Sequence, residues 1–67
     1  MSITDREIWT VASIYVKRYG NEARAHAHTR GAALEAAGDI EGHAIWLLVG
    51  RAIEEMQRLK RDDQPLN

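Results

Sequence analysis

Between Asp39 and Leu59 the apolar residues recur at helical spacing and gather on one side of the chain. At about 100° per residue, Leu48, Leu59, Ala52, Ile45, Met56, Val49, Ile53 and Trp46 fall within about 160° of arc. His43, Gly50, Arg51, Glu54, Glu55, Gln57 and Arg58 fill the rest of the circumference, and Leu47 is the apolar exception. This pattern predicts one long amphipathic helix.

Two further helices precede it. Thr4-Asp5-Arg6-Glu7 has the form of a capping box, in which a Thr side chain and a Glu three residues on each satisfy an orphan amide of the other. Ile3 and Ile8 stand at the spacing of a hydrophobic staple across the same helix start. The helix that follows carries Ile8, Trp9, Val11, Ala12, Tyr15, Val16 and Tyr19 on one side, with Ile14 out of pattern. Gly20 offers the left-handed stop that ends many helices. Asn21 can cap a second helix, with Glu22 favourable in its first turn. That second helix is alanine-rich. Ala25, Thr29, Ala32 and Ala36 make one small-residue face, Ala23, Ala27 and Leu34 another, and Leu34 is its single large aliphatic residue. Gly31 costs about 1 kcal/mol against Ala in a helix interior, which implies a tight contact or a kink. Gly38 ends this helix and Asp39 can cap the third.

The expected fold is therefore all-α: a three-helix bundle with helices over about 5–19, 21–37 and 40–60 joined by short connections. One domain accounts for residues 1–67, with a charged, fraying tail from about residue 61. The first and third helices each present an apolar arc of about 160°, more than one thin alanine-rich helix covers. Pairing of two copies through those arcs resolves the mismatch, so a homodimer is expected. Its candidate interface is Trp9, Tyr15, Ile45, Trp46, Val49, Ile53 and Met56, which include the two tryptophans, a residue type enriched where binding energy concentrates.

Composition narrows the rest. A chain of 67 residues without cysteine has neither disulfides nor thiolate zinc sites to support a thin core. Absence of cysteine fits a reducing compartment, and we expect a cytoplasmic location. The sequence from Met1 to Asp5 lacks the basic start and apolar core of a signal peptide. The longest apolar run, Ala44 to Val49, falls far short of the roughly 20 residues a membrane span needs. No membrane association is expected.

Charge is uneven, although the net value is only −1. Residues 17–30 hold four basic residues, Lys17, Arg18, Arg24 and Arg30, against Glu22 alone. Residues 31–55 hold five acidic residues against Arg51 alone. Weak pairing of the two segments across neighbouring helices is the simplest account. The competing one makes residues 17–30 a basic strip for a nucleic-acid-associated regulator, with the second helix as the recognition helix. The slightly acidic domain argues against it, as does the scatter of the basic residues around the helix, where Arg24 and Arg30 differ by about 120°.

Candidate chemistry is sparse. His26 and His28 diverge by about 200° on a helix and cannot share a metal, and His43 joins them only through a tertiary contact that spacing does not define. There is no glycine-rich phosphate loop, no activated nucleophile and no paired carboxylates with a cleft between them. We therefore expect no enzyme, no cofactor and no metal, and a module that acts by binding another protein.

The segment Gly38-Asp39-Ile40-Glu41-Gly42, followed by Trp46 and by Ala52-Ile53-Glu54-Glu55-Met56, resembles a group of short alphaproteobacterial all-helical proteins of unknown function. Trp9, Tyr19-Gly20 and Arg30 occupy the group's other marked positions, so the resemblance spans residues 8–57. It implies a bacterial, cytoplasmic domain and assigns no catalytic residue. Within that pattern Arg30 is expected to pair with Asp39 or Glu41.

Overall fold

Helical structure in this chain is interrupted at one place only within residues 4–62, the part that the computed structural model describes, with side chains as far as Leu59. All of these residues are helical except Thr4, Ala37, Gly38 and Asp39. The order is α1 (Asp5–Tyr19), a 3-10 turn (Gly20–Glu22), α2 (Ala23–Ala36) and α3 (Ile40–Asp62).

The start of α1 is the expected capping box. Thr4 is extended, the Glu7 N–H donates to Thr4 Oγ1 at 3.2 Å, and the Thr4 N–H donates back to Glu7 Oε1 at 3.4 Å. Ile3, the expected staple residue, lies outside the described residues.

The junction of α1 and α2 corrects the sequence reading. Gly20 takes φ 57°, as a stop glycine should, yet its N–H still reaches Val16 O, and the Ala23 N–H reaches Gly20 O. The chain turns without releasing its backbone bonds. Asn21 consequently lies inside the 3-10 turn, and Glu22 holds the N-cap position of α2 without a side-chain cap bond. Residues 5–36 form one bent helical run, with α3 as the second run, where three separately capped helices were expected.

The break before α3 is complete. Gly38 takes φ 84°, its N–H bonds Glu35 O at 3.0 Å, and the Asp39 N–H bonds Leu34 O at 2.8 Å. These two bonds are the Schellman pattern, which satisfies the last carbonyls of α2 and reverses the chain. Asp39 then opens α3 by accepting the Gly42 N–H on Oδ1 at 2.8 Å. A Cβ at Gly42 would stand 2.5 Å from Asp39 Oδ2, so a larger residue there would make the capping carboxylate shift. The helix continues to Asp62, past the expected end near residue 60, and the rest of the expected tail, 63–67, lies outside the described residues.

The reversal lays α3 antiparallel on α2. Gly31 meets His43 and Trp46, while Arg24 meets Glu54. The contact face of α2 is Ala23, Ala27 and Gly31, all buried and spaced by four residues. With no side chain longer than a methyl group between them, the helices come close. A Cβ on Gly31 would stand 3.2 Å from Trp46 Cβ, and the Gly31 carbonyl accepts a bond from His43 Nδ1 at 2.9 Å. Of the two sequence options for Gly31, tight contact is the one realised. Against the same side of α3, α1 places Ile8 and Ala12. The core is thus Ile8, Ala12, Ala23, Ala27, Val49, Ala52 and Ile53, flanked by Val11, Tyr15, Val16, Tyr19, Trp46 and Met56. Gln57 ties the far end of α3 to the bend by donating to Gly20 O at 2.9 Å.

Candidate functional site

The seven residues of the expected interface divide sharply. Val49 and Ile53 are fully buried, Tyr15, Trp46 and Met56 pack against them, and Ile45 is half-buried. Only Trp9, at 41% exposure, faces outward. The expectation that the centre of the α3 arc needs a second copy is therefore corrected. Both α1 and α2 lie on that arc, and small residues on α2 let it seat deeply, so a single copy seals Val49, Ala52 and Ile53.

The apolar surface that remains exposed lies elsewhere on α3. Leu47 is 52% exposed and Leu48 43%, and Ile40 and Ala44 on the same side are open as well. On a helical projection these four centre roughly opposite Val49, because Ile40 and Leu47, nine and two residues from Val49, each fall about half a turn from it. They form an outward ridge flanked by two shallow grooves. The groove toward α1 is lined by Asp5, Ile8, Trp9, Leu48, Ala52 and Glu55, and the groove toward α2 by Arg24, His28, Trp46, Leu47, Gly50 and Glu54. Arg51 borders both grooves and the ridge itself. Among the described residues it has no carboxylate within salt-bridge distance, whereas Arg24 reaches Glu54 at 2.9 Å and Arg58 is bound by Glu55. The Glu55 hydrogen bond, assisted by its charge, raises the pKa of Arg58 above the ordinary arginine value.

A second grouping joins all three helices on the other side of Trp46. The Tyr15 ring lies 5.1 Å from the Trp46 ring and 5.2 Å from Tyr19, and Tyr19 stacks on His26 at 3.8 Å. Arg18 lies over Tyr19 and Arg30 over Trp46, each guanidinium carbon 5.9 Å from the ring centre. That distance is within reach of a cation–π attraction. Arg30, expected to pair with Asp39 or Glu41, lies over the Trp46 ring, and the Asp39 carboxylate is committed to the start of α3.

The basic strip is accordingly not a row of free cations. Arg24 is paired across to α3, Arg18 and Arg30 rest on aromatic faces, and Lys17 is exposed. The cross-helix pairing of the two charge segments is seen in Arg24–Glu54, while Glu35, whose Oε2 lies 3.7 Å from His43 Nε2, joins α2 to α3 within the acidic segment. His26 is taken up by Tyr19, His28 lines the α2 groove, and His43 anchors α3 to the Gly31 carbonyl, so the three imidazoles serve three different surroundings.

Sequence reading missed Ile40, Leu47, Leu48 and Arg51 as a surface. The signal was present in Leu47, the apolar residue on the polar side, and in Arg51, the lone cation among five acidic residues. Among the described residues no helix is long and apolar enough to cross a membrane. Comparison with known protein families, with curated proteins and with solved structures gives no match.

Proposed function

We propose that this chain is a small all-α protein-interaction module, a three-helix bundle whose first two helices are the limbs of one bent run, and that it acts by self-association and partner binding rather than by chemistry. The observation that carries the reading is the outward ridge of α3. Ile40, Ala44, Leu47 and Leu48, extended by Trp9 across the α1 groove, make a contiguous apolar surface on a chain that has already closed its core. Contiguous exposed apolar surface of this kind marks interaction sites, whereas scattered single residues such as Ile14 need no explanation.

The same reading places the module in the cytoplasm of a bacterium, in keeping with its lack of cysteine and with the resemblance carried by residues 38–56. The basic strip supports nucleic-acid binding poorly, because three of its four cations have partners within the chain. Sedimentation equilibrium between about 1 and 200 µM tests the proposal. A weak dimer is expected, since an interface of this size belongs to the small, transient class. A single monomeric species across the whole range refutes self-association.

A further inference from the structure

Four of the five glycines have a task inside the chain. Gly20 and Gly38 take positive φ, Gly31 is pressed against Trp46, and Gly42 against the Asp39 carboxylate. Gly50 has no such task. Its φ is not positive, and a Cβ built there meets none of the described residues within 4 Å outside its own turn of helix. Alanine would hold α3 more firmly at this position, since glycine is the weakest helix former after proline. We infer that Gly50 leaves room for a helix of a second protein, which carries a small residue where it crosses Gly50 and, one turn away, a carboxylate that meets Arg51. The inference rests on the partner binding proposed above and names the chemistry of the partner.

Gly50 lines the groove between α2 and α3, beside Trp46 and Leu47. Without a side chain there, the backbone of α3 is open to close approach from that side. The molecule already uses this device once, where Ala23, Ala27 and Gly31 let α2 come close to α3. A partner helix with a small residue at the crossing repeats it. Apolar surface is present to hold such a helix. Leu47 and Ile40, 52% and 78% exposed, lie seven residues apart on one side of α3 and span about 10 Å along it. That is the spacing at which a helix lying in a groove sets its anchors. Charge then selects the sign of the partner. Of the charged side chains that line the groove, Arg24 and Glu54 answer each other at 2.9 Å. Arg51 is exposed, and among the described residues it has no carboxylate within salt-bridge distance, so the groove keeps a net positive charge. The groove toward α1 contains the same Arg51 but adds Asp5 and Glu55, and so has no such excess.

Trp46 reports on the groove, and Trp9→Phe removes the other indole. The probe is a blocked peptide of about 15 residues, some four turns of helix, with alanine and leucine on one side, glutamine on the other and a single glutamate one turn from the central alanine. With the protein near 1 µM, the peptide is expected to shift Trp46 emission saturably, and exchange of its glutamate for glutamine to weaken binding roughly fivefold. Gly50→Leu fills the groove and is expected to weaken binding roughly tenfold. Gly50→Ala carries the same test at about fivefold should the leucine variant lose its helices by circular dichroism. Its Tm is expected to rise by about 4–8 °C, because nothing within the chain opposes the added methyl group. Arg51→Glu is expected to lose the preference for the glutamate peptide and to prefer one with lysine in that place. A fall in Tm on Gly50→Ala would put the need for glycine inside the chain and overturn the inference. So would peptide binding that Gly50→Leu and Arg51→Glu leave unchanged. A chain that self-associates but gives no Trp46 response to the peptide overturns the groove and leaves self-association standing, and a monomeric chain that binds the peptide does the reverse. If Gly50→Leu weakens self-association while the peptide has no effect, the groove takes a second copy and the inference fails.

Discussion

The two long faces of α3 are built from the same kinds of residue and meet different fates. Val49, Ala52 and Ile53 on the inward face are sealed by Ile8 and Ala12 from α1 and by Ala23 and Ala27 from α2. Ile40, Ala44, Leu47 and Leu48 on the outward face are left open around Arg51. Apolar character alone therefore does not decide burial here. What decides it is whether a facing helix carries residues small enough to come close, and only the inward face has one.

The strongest way to break this contrast is to remove substance from the inward face. Ile53 is fully buried, and Ile53→Ala deletes three carbons from a core assembled largely from alanines, whose methyl groups cannot move in to fill the space. A loss of about 2–5 kcal/mol is expected. Small domains have little stability in reserve, so the variant should be largely unfolded at room temperature by circular dichroism. A cooperative transition close to that of the wild type would show that the inward face is not the core.

Gly31 sharpens the comparison from the opposing helix. Adding a side chain there removes the close approach that lets α2 cover α3. The atom it would meet, Trp46 Cβ, is attached directly to the backbone and cannot swing aside. Gly31→Val should cost about 1–3 kcal/mol through overpacking. For a domain of this size that is about 4–8 °C in Tm per kcal/mol. Separation of the helices would also stretch the bond from His43 to the Gly31 carbonyl. An unchanged Tm would mean that the helices accommodate the added carbons and that closeness at Gly31 is not what seals the inward face.

Much of this arrangement can be read from local sequence, because helix ends depend on neighbouring residues alone. Thr4 with Glu7 starts α1, Gly38 ends α2, and Asp39 with Gly42 starts α3, each by bonds that span three to five positions. The choice between the two faces of α3 is not local. It depends on how the bend at Gly20 apportions the inward arc between α1 and α2, and helical periodicity carries no information about a bend. The stack of Tyr19 on His26 is hidden for the same reason. Residues seven apart lie about 10 Å from each other along a straight helix and touch only because the run turns between them. The contact of Arg30 with the Trp46 ring is likewise not legible in local sequence, because it depends on how α2 and α3 pack together.

The smallest expected effect is the most discriminating. Leu47→Ser exchanges a large apolar side chain for a small polar one, which in the inward face would be severe. On the outward face the wild-type side chain is already half in water, so the change should alter unfolding by no more than about 0.5 kcal/mol when measured near 1 µM, where the chain is alone. At about 100 µM the comparison should change. The wild type gains apparent stability from self-association, since whatever binds only the folded state raises its Tm as concentration rises, and the Leu47→Ser variant should gain less. A concentration-dependent difference between two proteins that unfold alike when dilute has no source within a single copy. It would assign Leu47 to a surface between molecules, and identical curves at both concentrations would return it to the ordinary run of exposed leucines.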